Sequence, residues 1–185
     1  MCYKCTSLTT VTFTSSSTTS INQYAFYGCT NLNSIKFSTG LKTIGEYSFA
    51  GTKFTSFTIP DSVTTIGNYV FGLCSSLGFI TFGSGVSIIG VNPIMGCSSL
   101  TSVTFKSSSY FIYEDGMILT KDKTRIISYL QTKTETVFIF LPDELTTIRE
   151  SAFEGNQNLQ MIVIPMNVTK IENSAFYGCT KLTHV

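Results

Sequence analysis

Charge is scarce in this chain. Asp, Glu, Lys and Arg make up 12% of its 185 residues, about half the usual share, and the formal net charge is +1. Such a balance excludes the basic surface of a nucleic-acid binder and gives no reason to expect contact with an acidic membrane. Tryptophan is absent and histidine occurs once, as His184. A Ser/His/Asp site would have to be built on that one terminal residue, and no second His or Cys pair stands in range of Cys2-x-x-Cys5 to complete a zinc site. No Gly-rich phosphate loop follows a strand, since Gly83-Ser84-Gly85 reads as a turn. Neither an enzyme nor a bound cofactor or metal is expected. No apolar run reaches the ~18 residues of a membrane span. The start, MCYKCTSLTT, lacks the charged-then-apolar order of a secretion signal; a signal or anchor is expected, if anywhere, in a longer parent protein.

Periodicity is what the chain has in abundance. Leu8, Leu32, Phe54, Leu77 and Leu100 are spaced by 24, 22, 23 and 23 residues, and Leu159 and Leu182 again by 23. The 59 residues from Leu100 to Leu159 hide one enlarged unit. Each unit has two halves. The first alternates, as in Leu32-Asn-Ser-Ile35-Lys-Phe37, which predicts a strand with one buried face. Pro60, Pro142 and Pro165 end three such strands, where a ladder N–H is no longer needed. The second half pairs Ile21 with Phe26, Ile44 with Phe49, Ile66 with Phe71, Ile89 with Ile94, Ile148 with Phe153 and Ile171 with Phe176. Offsets this short suit one helical or 3₁₀ turn. Gly28, Gly96 and Gly178 suit a left-handed residue ending it. One unit cannot bury its apolar edge alone, but stacked units can. The expected fold is an α/β repeat solenoid: a parallel β ribbon on one side and short helical turns on the other, with a period inside the 20–29 residues of leucine-rich repeats.

The units IPDSVTTIGNYVFGLCSSLGFITF and IPMNVTKIENSAFYGCTKLTHV resemble the BspA-like (Treponema pallidum type) leucine-rich repeats, over nearly the whole chain. The resemblance implies a right-handed superhelix of about seven coils, forming one domain over residues 1–185. It also implies a surface-exposed protein of a bacterium or protozoan parasite that adheres to host cells, extracellular matrix or other microbes. The expected location is therefore the cell surface or outside it, and the expected partner a protein or glycan. An intracellular leucine-rich-repeat scaffold is the other reading of the same repeats. The chain starts and stops inside a unit with no polar cap in view. A fragment of a longer array is expected; the alternative is a small complete protein whose open ends self-associate.

After Val103-Thr-Phe105 the Ile/Phe half is missing, and Lys106 to Thr136 stands in its place, an island in the fifth coil. Tyr110–Tyr113, Met117–Thr120 and Arg125–Tyr129 read as strands, joined by turns at Glu114-Asp115-Gly116 and Lys121-Asp122-Lys123, so a β-hairpin or three-stranded excursion is expected. The run EDGMILTKDKTRIISY resembles the island of many BspA-like proteins. Of the 23 charged side chains, 14 lie between Lys106 and Glu154. They solvate an exposed excursion, or they mark a recognition element.

Alternation also predicts the outward face of the ribbon. Thr10, Ser34, Ser56, Phe79, Ser102, Phe138, Met161 and His184 form one column; Thr12, Lys36, Thr58, Thr81, Thr104, Phe140 and Val163 form the next. Hydroxyls dominate before the island, and β-branched Thr suits strands in any case. After it, Phe138, Phe140, Met161 and Val163 make an apolar cluster, which the island covers or which a partner covers. The candidate binding residues are these four with Phe79, Tyr113 and Arg125. Cys5, Cys29, Cys74, Cys97 and Cys179 share one repeat position, which in other units is read as Gly51 and Asn156. The expectation is free, buried thiols acting as small apolar fillers. Asn167-Val168-Thr169 is a formal glycosylation sequon.

Overall fold

The computed structural model describes residues 2–132 and 138–185. The chain winds through seven coils, and each contributes one strand to each of two faces. On the first face lie β1 (Thr10–Thr12), β3 (Ser34–Lys36), β5 (Ser56–Thr58), β7 (Phe79–Phe82), β9 (Ser102–Phe105), β13 (Phe138–Phe140) and β15 (Met161–Val163). They pair in parallel as β1-β3, β5-β7-β9 and β13-β15. The register follows the expected columns: Thr10 faces Ser34, Ser56 faces Phe79, Phe79 faces Ser102, Phe138 faces Met161, and Met161 bridges to His184.

The opposite side was expected to carry helical turns, yet no helix occurs among the described residues. It carries a second parallel ladder of two-residue strands, β2 (Ser20–Ile21), β4 (Thr43–Ile44), β6 (Thr65–Ile66) and β8 (Ile88–Ile89). The segment after each is a chain of tight turns. Amides of Tyr24, Phe26 and Gly28 donate to carbonyls of Glu46, Ser48 and Ala50 one coil on, each at 2.8 Å. Amides between them (Ala25, Tyr27, Cys29) close locally onto Asn22, Tyr24 and Phe26, each at 3.2 Å. A helix needs every amide for its own i→i−4 bonds; here alternate amides belong to the next coil. Left-handed backbone at Tyr24 (φ 57°) and Gly28 (φ 68°) sets that alternation. Gly51, Gly96, Gly155 and Gly178 repeat the second position. In the third coil Leu73 takes it with φ 59° and is 58% exposed.

Stacking builds the core. Leu32, Phe54, Leu77 and Leu100 are buried in one core, and Leu159, at the same repeat position, in the second. Phe26, Phe49 and Phe71 stack nearly parallel, with centroids 5.5 and 6.0 Å apart. Each buried ring contributes about 1.5–3 kcal/mol by removal from water. The thiol position also bonds. Cys29, Cys74 and Cys97 are buried, and Cys74 and Cys97 donate Sγ–H to the Phe49 and Phe71 carbonyls of the preceding coil at 3.1 Å. Cys179 does the same to Phe153 at 3.1 Å but is only partly buried, and Cys5 is exposed. The residue three past the ring in the second coil is Thr52, not Gly51, and its hydroxyl donates to Phe49 O at 2.7 Å. In the sixth coil Asn156 accepts from the Asn158 and Leu159 amides. The position therefore selects a small polar group that can bond at the turn, more than a small apolar filler.

The island has the expected hairpin and third strand, but it is not the exposed excursion expected. β10 (Phe111–Glu114) and β11 (Met117–Thr120) form an antiparallel hairpin through Asp115-Gly116, both with positive φ, the two-residue turn that matches strand twist. β12 (Arg125–Tyr129) pairs antiparallel with β11 and, on its other edge, parallel with β14 (Thr147–Ile148), which pairs with β16 (Lys170–Ile171). The strand β12 thus stands in the second ladder as the fifth coil's own member. Ile118, Ile127 and Leu130 pack into the core of the first four coils, while Met117, Leu119, Ile126 and Tyr129 pack into the core of the last two. All seven are buried. The hairpin strand and β12 are thus an internal plate with a core on each face. Only its edges need solvation: Asp122 turns its carboxylate onto Thr120 and Thr124, and Lys123 pairs with Glu114 at 2.7 Å.

Candidate binding surfaces

The apolar cluster on the first face is open. Phe138 faces Met161 and Phe140 faces Val163 across the β13–β15 pair. Phe138 and Phe140, both outward, meet edge-on with centroids 4.5 Å apart. Phe140 is 73% exposed and Val163 45%, while Met161 is half-buried. The island strands do not cover it, because they are spent inside the molecule. Thr136 and the residues just before it lie outside the described residues.

The remaining candidates are not brought to this patch. Phe79 is 59% exposed on β7, on the same side but in a separate sheet flanked by Ser56 and Ser102. Tyr113, on β10, is half-buried against the first core, and burial pushes its phenol up from the usual value, followed by Tyr129 and Asp115. Arg125 begins β12 on the opposite ladder and faces a cavity there.

That cavity exists because the second ladder is interrupted. Its first segment ends at β8 and its next begins with β12. Side chains bridge the gap. Arg149 Nη1 donates to Ile89 O at 3.1 Å and Asn92 Nδ2 to Ser151 O at 2.6 Å. Ser128 Oγ donates to Asn92 Oδ1, and Tyr69 OH to Ser151 Oγ at 3.0 Å. Asn92, Ser128 and Ser151 are fully buried, so the two bonds that Asn92 makes are formed away from water, while those of Arg149 and Tyr69 are partly buried. None of these residues stood out in the sequence, because three carry ordinary repeat positions. The one available signal was Asn92, where the first three coils have Tyr24, Tyr47 and Tyr69. Those tyrosines stack at 5.3 and 4.9 Å, and Tyr47, desolvated and beside Tyr69 and Tyr24, has its phenol pushed up to about 12.

The BspA-type leucine-rich repeat matches in six copies over residues 1–118 and 124–185. The chain belongs to this family. No curated protein matches it. Among solved structures, a leucine-rich repeat protein of Eubacterium ventriosum superposes with a TM-score of 0.76 at 21% identity, covering 95% of this chain and 64% of that one. The T. pallidum leucine-rich repeat protein gives 0.57 at 26%, covering 98% and 68%. A leucine-rich cell surface protein of Faecalibacterium prausnitzii gives 0.59 at 22%, covering 96% and 60%. The chain thus spans about two thirds of the length of these neighbours.

Proposed function

We propose that this BspA-type segment is a non-enzymatic protein-binding module of a cell-surface protein, one that adheres to host cells, extracellular matrix or other microbes. The observation that carries the reading is the open patch of Phe138, Phe140, Met161 and Val163 on a face that the earlier coils, Phe79 and Lys36 apart, dress in Ser and Thr. An exposed apolar cluster with polar surroundings is what a protein partner desolvates on binding, and aromatic side chains at its centre supply most of the energy. Phe79 extends the same face toward the earlier coils and would meet a longer partner. The name of the F. prausnitzii neighbour, a cell surface protein, supports a surface location. The competing reading is an intracellular scaffold using the same patch.

Binding of the intact segment to immobilised matrix proteins and to host cells, beside Phe140→Ser and Phe138→Ser variants, tests this. Weakened binding at unchanged melting temperature is expected. Equal binding by the variants would exclude the patch, and burial of the segment inside intact producing cells, seen as protection from added protease, would favour the scaffold.

A further inference from the structure

The cavity beside the interrupted ladder lies away from the patch, on the opposite face, and holds about 290 Å³. That is near the lower limit of small-molecule sites, room for one ring and not for an extended chain. Ser87, Ile88, Tyr110, Thr120, Arg125 and Arg149 face it. Its polar character comes from two guanidinium groups without a matching carboxylate. Arg149 is half-buried and spends Nη1 on Ile89 O; its Nε is buried with no acceptor among the described residues. Arg125 is exposed and makes no ion pair among the described residues. Glu150 and Glu172 lie near enough to favour the Arg149 charge, yet neither forms an ion pair with it among the described residues, and Glu172 and Asp122 are otherwise engaged. Glu172 accepts from Lys170 Nζ at 2.8 Å and from the Glu150 amide at 3.1 Å, and Asp122 accepts from Thr120 and Thr124. Burial, and after it Arg125, hold the Arg149 guanidinium below its ordinary value, with Glu172 and Glu150 offsetting them only in part. Two cations brought together in a partly desolvated recess repel each other until an anion lies between them, and a planar fork suits an oxyanion.

The walls complete the description. Tyr110 is 52% exposed and Ile88 58%, so an apolar ring edge and a branched side chain stand open beside the charges. Ser87 and Thr120 add hydroxyl oxygens as acceptors, their protons donated to Thr64 O and Asp122. A flat apolar wall, hydroxyls and paired guanidinium groups together match a sugar ring carrying an acidic group. We infer that the recess between β8 and the island binds one acidic sugar residue, its carboxylate or sulfate between Arg125 and Arg149 and its ring against Tyr110 and Ile88. Among the described residues the second ladder opens only here, between β8 and β12. The inference does not depend on the patch at Phe140.

Titration of the whole segment at low salt with glucuronate, glucose 6-sulfate, glucose and N-acetylglutamate, read by calorimetry or by NMR shifts, tests it. Saturable binding of one or both acidic sugars is expected, with none for glucose; glucuronate against the sulfate tells which acidic group is preferred. Arg125→Ala, at an exposed site, should weaken binding by about tenfold or more, and Arg125→Lys by less. Phe140→Ser should leave sugar binding unchanged, so failure of the patch and failure of this site are separable. Absence of saturable binding by both acidic sugars, equal binding of glucose, or unaltered binding by Arg125→Ala would overturn the site. N-acetylglutamate binding as tightly as glucuronate would overturn the assignment to sugar.

Discussion

Around Phe71, buried residues alternate with outward ones along β5 and β7, and one face of each strand meets its copy in the next coil. Around Ile127 they run on without a break, and both faces of β11 and β12 are buried, one in each core. The two regions answer the same need differently. An ordinary coil covers a single stripe with an identical neighbour. The fifth coil, lacking the Ile/Phe half that would continue the columns, covers the first four coils and the last two with opposite sides of one sheet. An insertion in a solenoid is thus not bound to be an appendage; it can be the joint.

Breaking the joint should have the largest effect. Ile127→Ala removes a buried side chain from the plate, and a loss of about 2–5 kcal/mol is expected in urea unfolding. A loss under about 1 kcal/mol, the scale of surface changes, would place β12 outside the core. Next comes the polar seam. Asn92→Ala leaves the Ser151 carbonyl without its side-chain donor and the Ser128 hydroxyl without its acceptor in a buried place. About 1–3 kcal/mol should be lost, a cost with no parallel at Tyr47, the same repeat position in an ordinary coil.

Smaller effects sharpen the contrast inside the ordinary coils. Leu73 holds a left-handed position that five coils give to glycine, so Leu73→Gly should stabilise by about 0.5–1 kcal/mol, or about 2–4 °C per kcal/mol in melting temperature. Burial raises the thiols of Cys74 and Cys97 above the ordinary range, Cys97 further by Cys74. A folded value above the unfolded one means that this contribution is complete below the unfolded thiol value of about 8.5 and is lost as pH rises above it. Alkylation at neutral pH should label Cys5 and spare Cys74 and Cys97 until the chain unfolds. Phe140→Ser, outside every core, should change stability by about 0.5 kcal/mol or less.

Much of this was legible in the residues. The spacing from Leu8 to Leu100 fixed the coils, and alternation placed Phe138 and Phe140 outward in the register observed. The helical turns are not found because an Ile-to-Phe offset of five residues is equally met by tight turns that lend alternate amides to the next coil, and the left-handed Tyr24 and Gly28 distinguish the two. The plate was legible in principle. Met117-Ile118-Leu119 and Ile126-Ile127 are continuous apolar runs, the mark of a strand buried on both faces. The surrounding charges drew attention instead, and they belong to the turns at Glu114-Asp115 and Lys121–Lys123. The seam was not legible: Asn92, Ser128 and Ser151 meet only because the ladder breaks, and no local pattern reports a contact between residues 36 and 59 positions apart.

Hydrogen exchange on the intact segment, followed by mass spectrometry over peptides spanning Met117–Leu130, tests the internal plate most directly. Protection matching that of the second-ladder coil around Ile66, lost only with global unfolding, is expected. Exchange of β11 and β12 as fast as that of the Lys121–Lys123 turn, while the Ile66 coil stays protected, would contradict it.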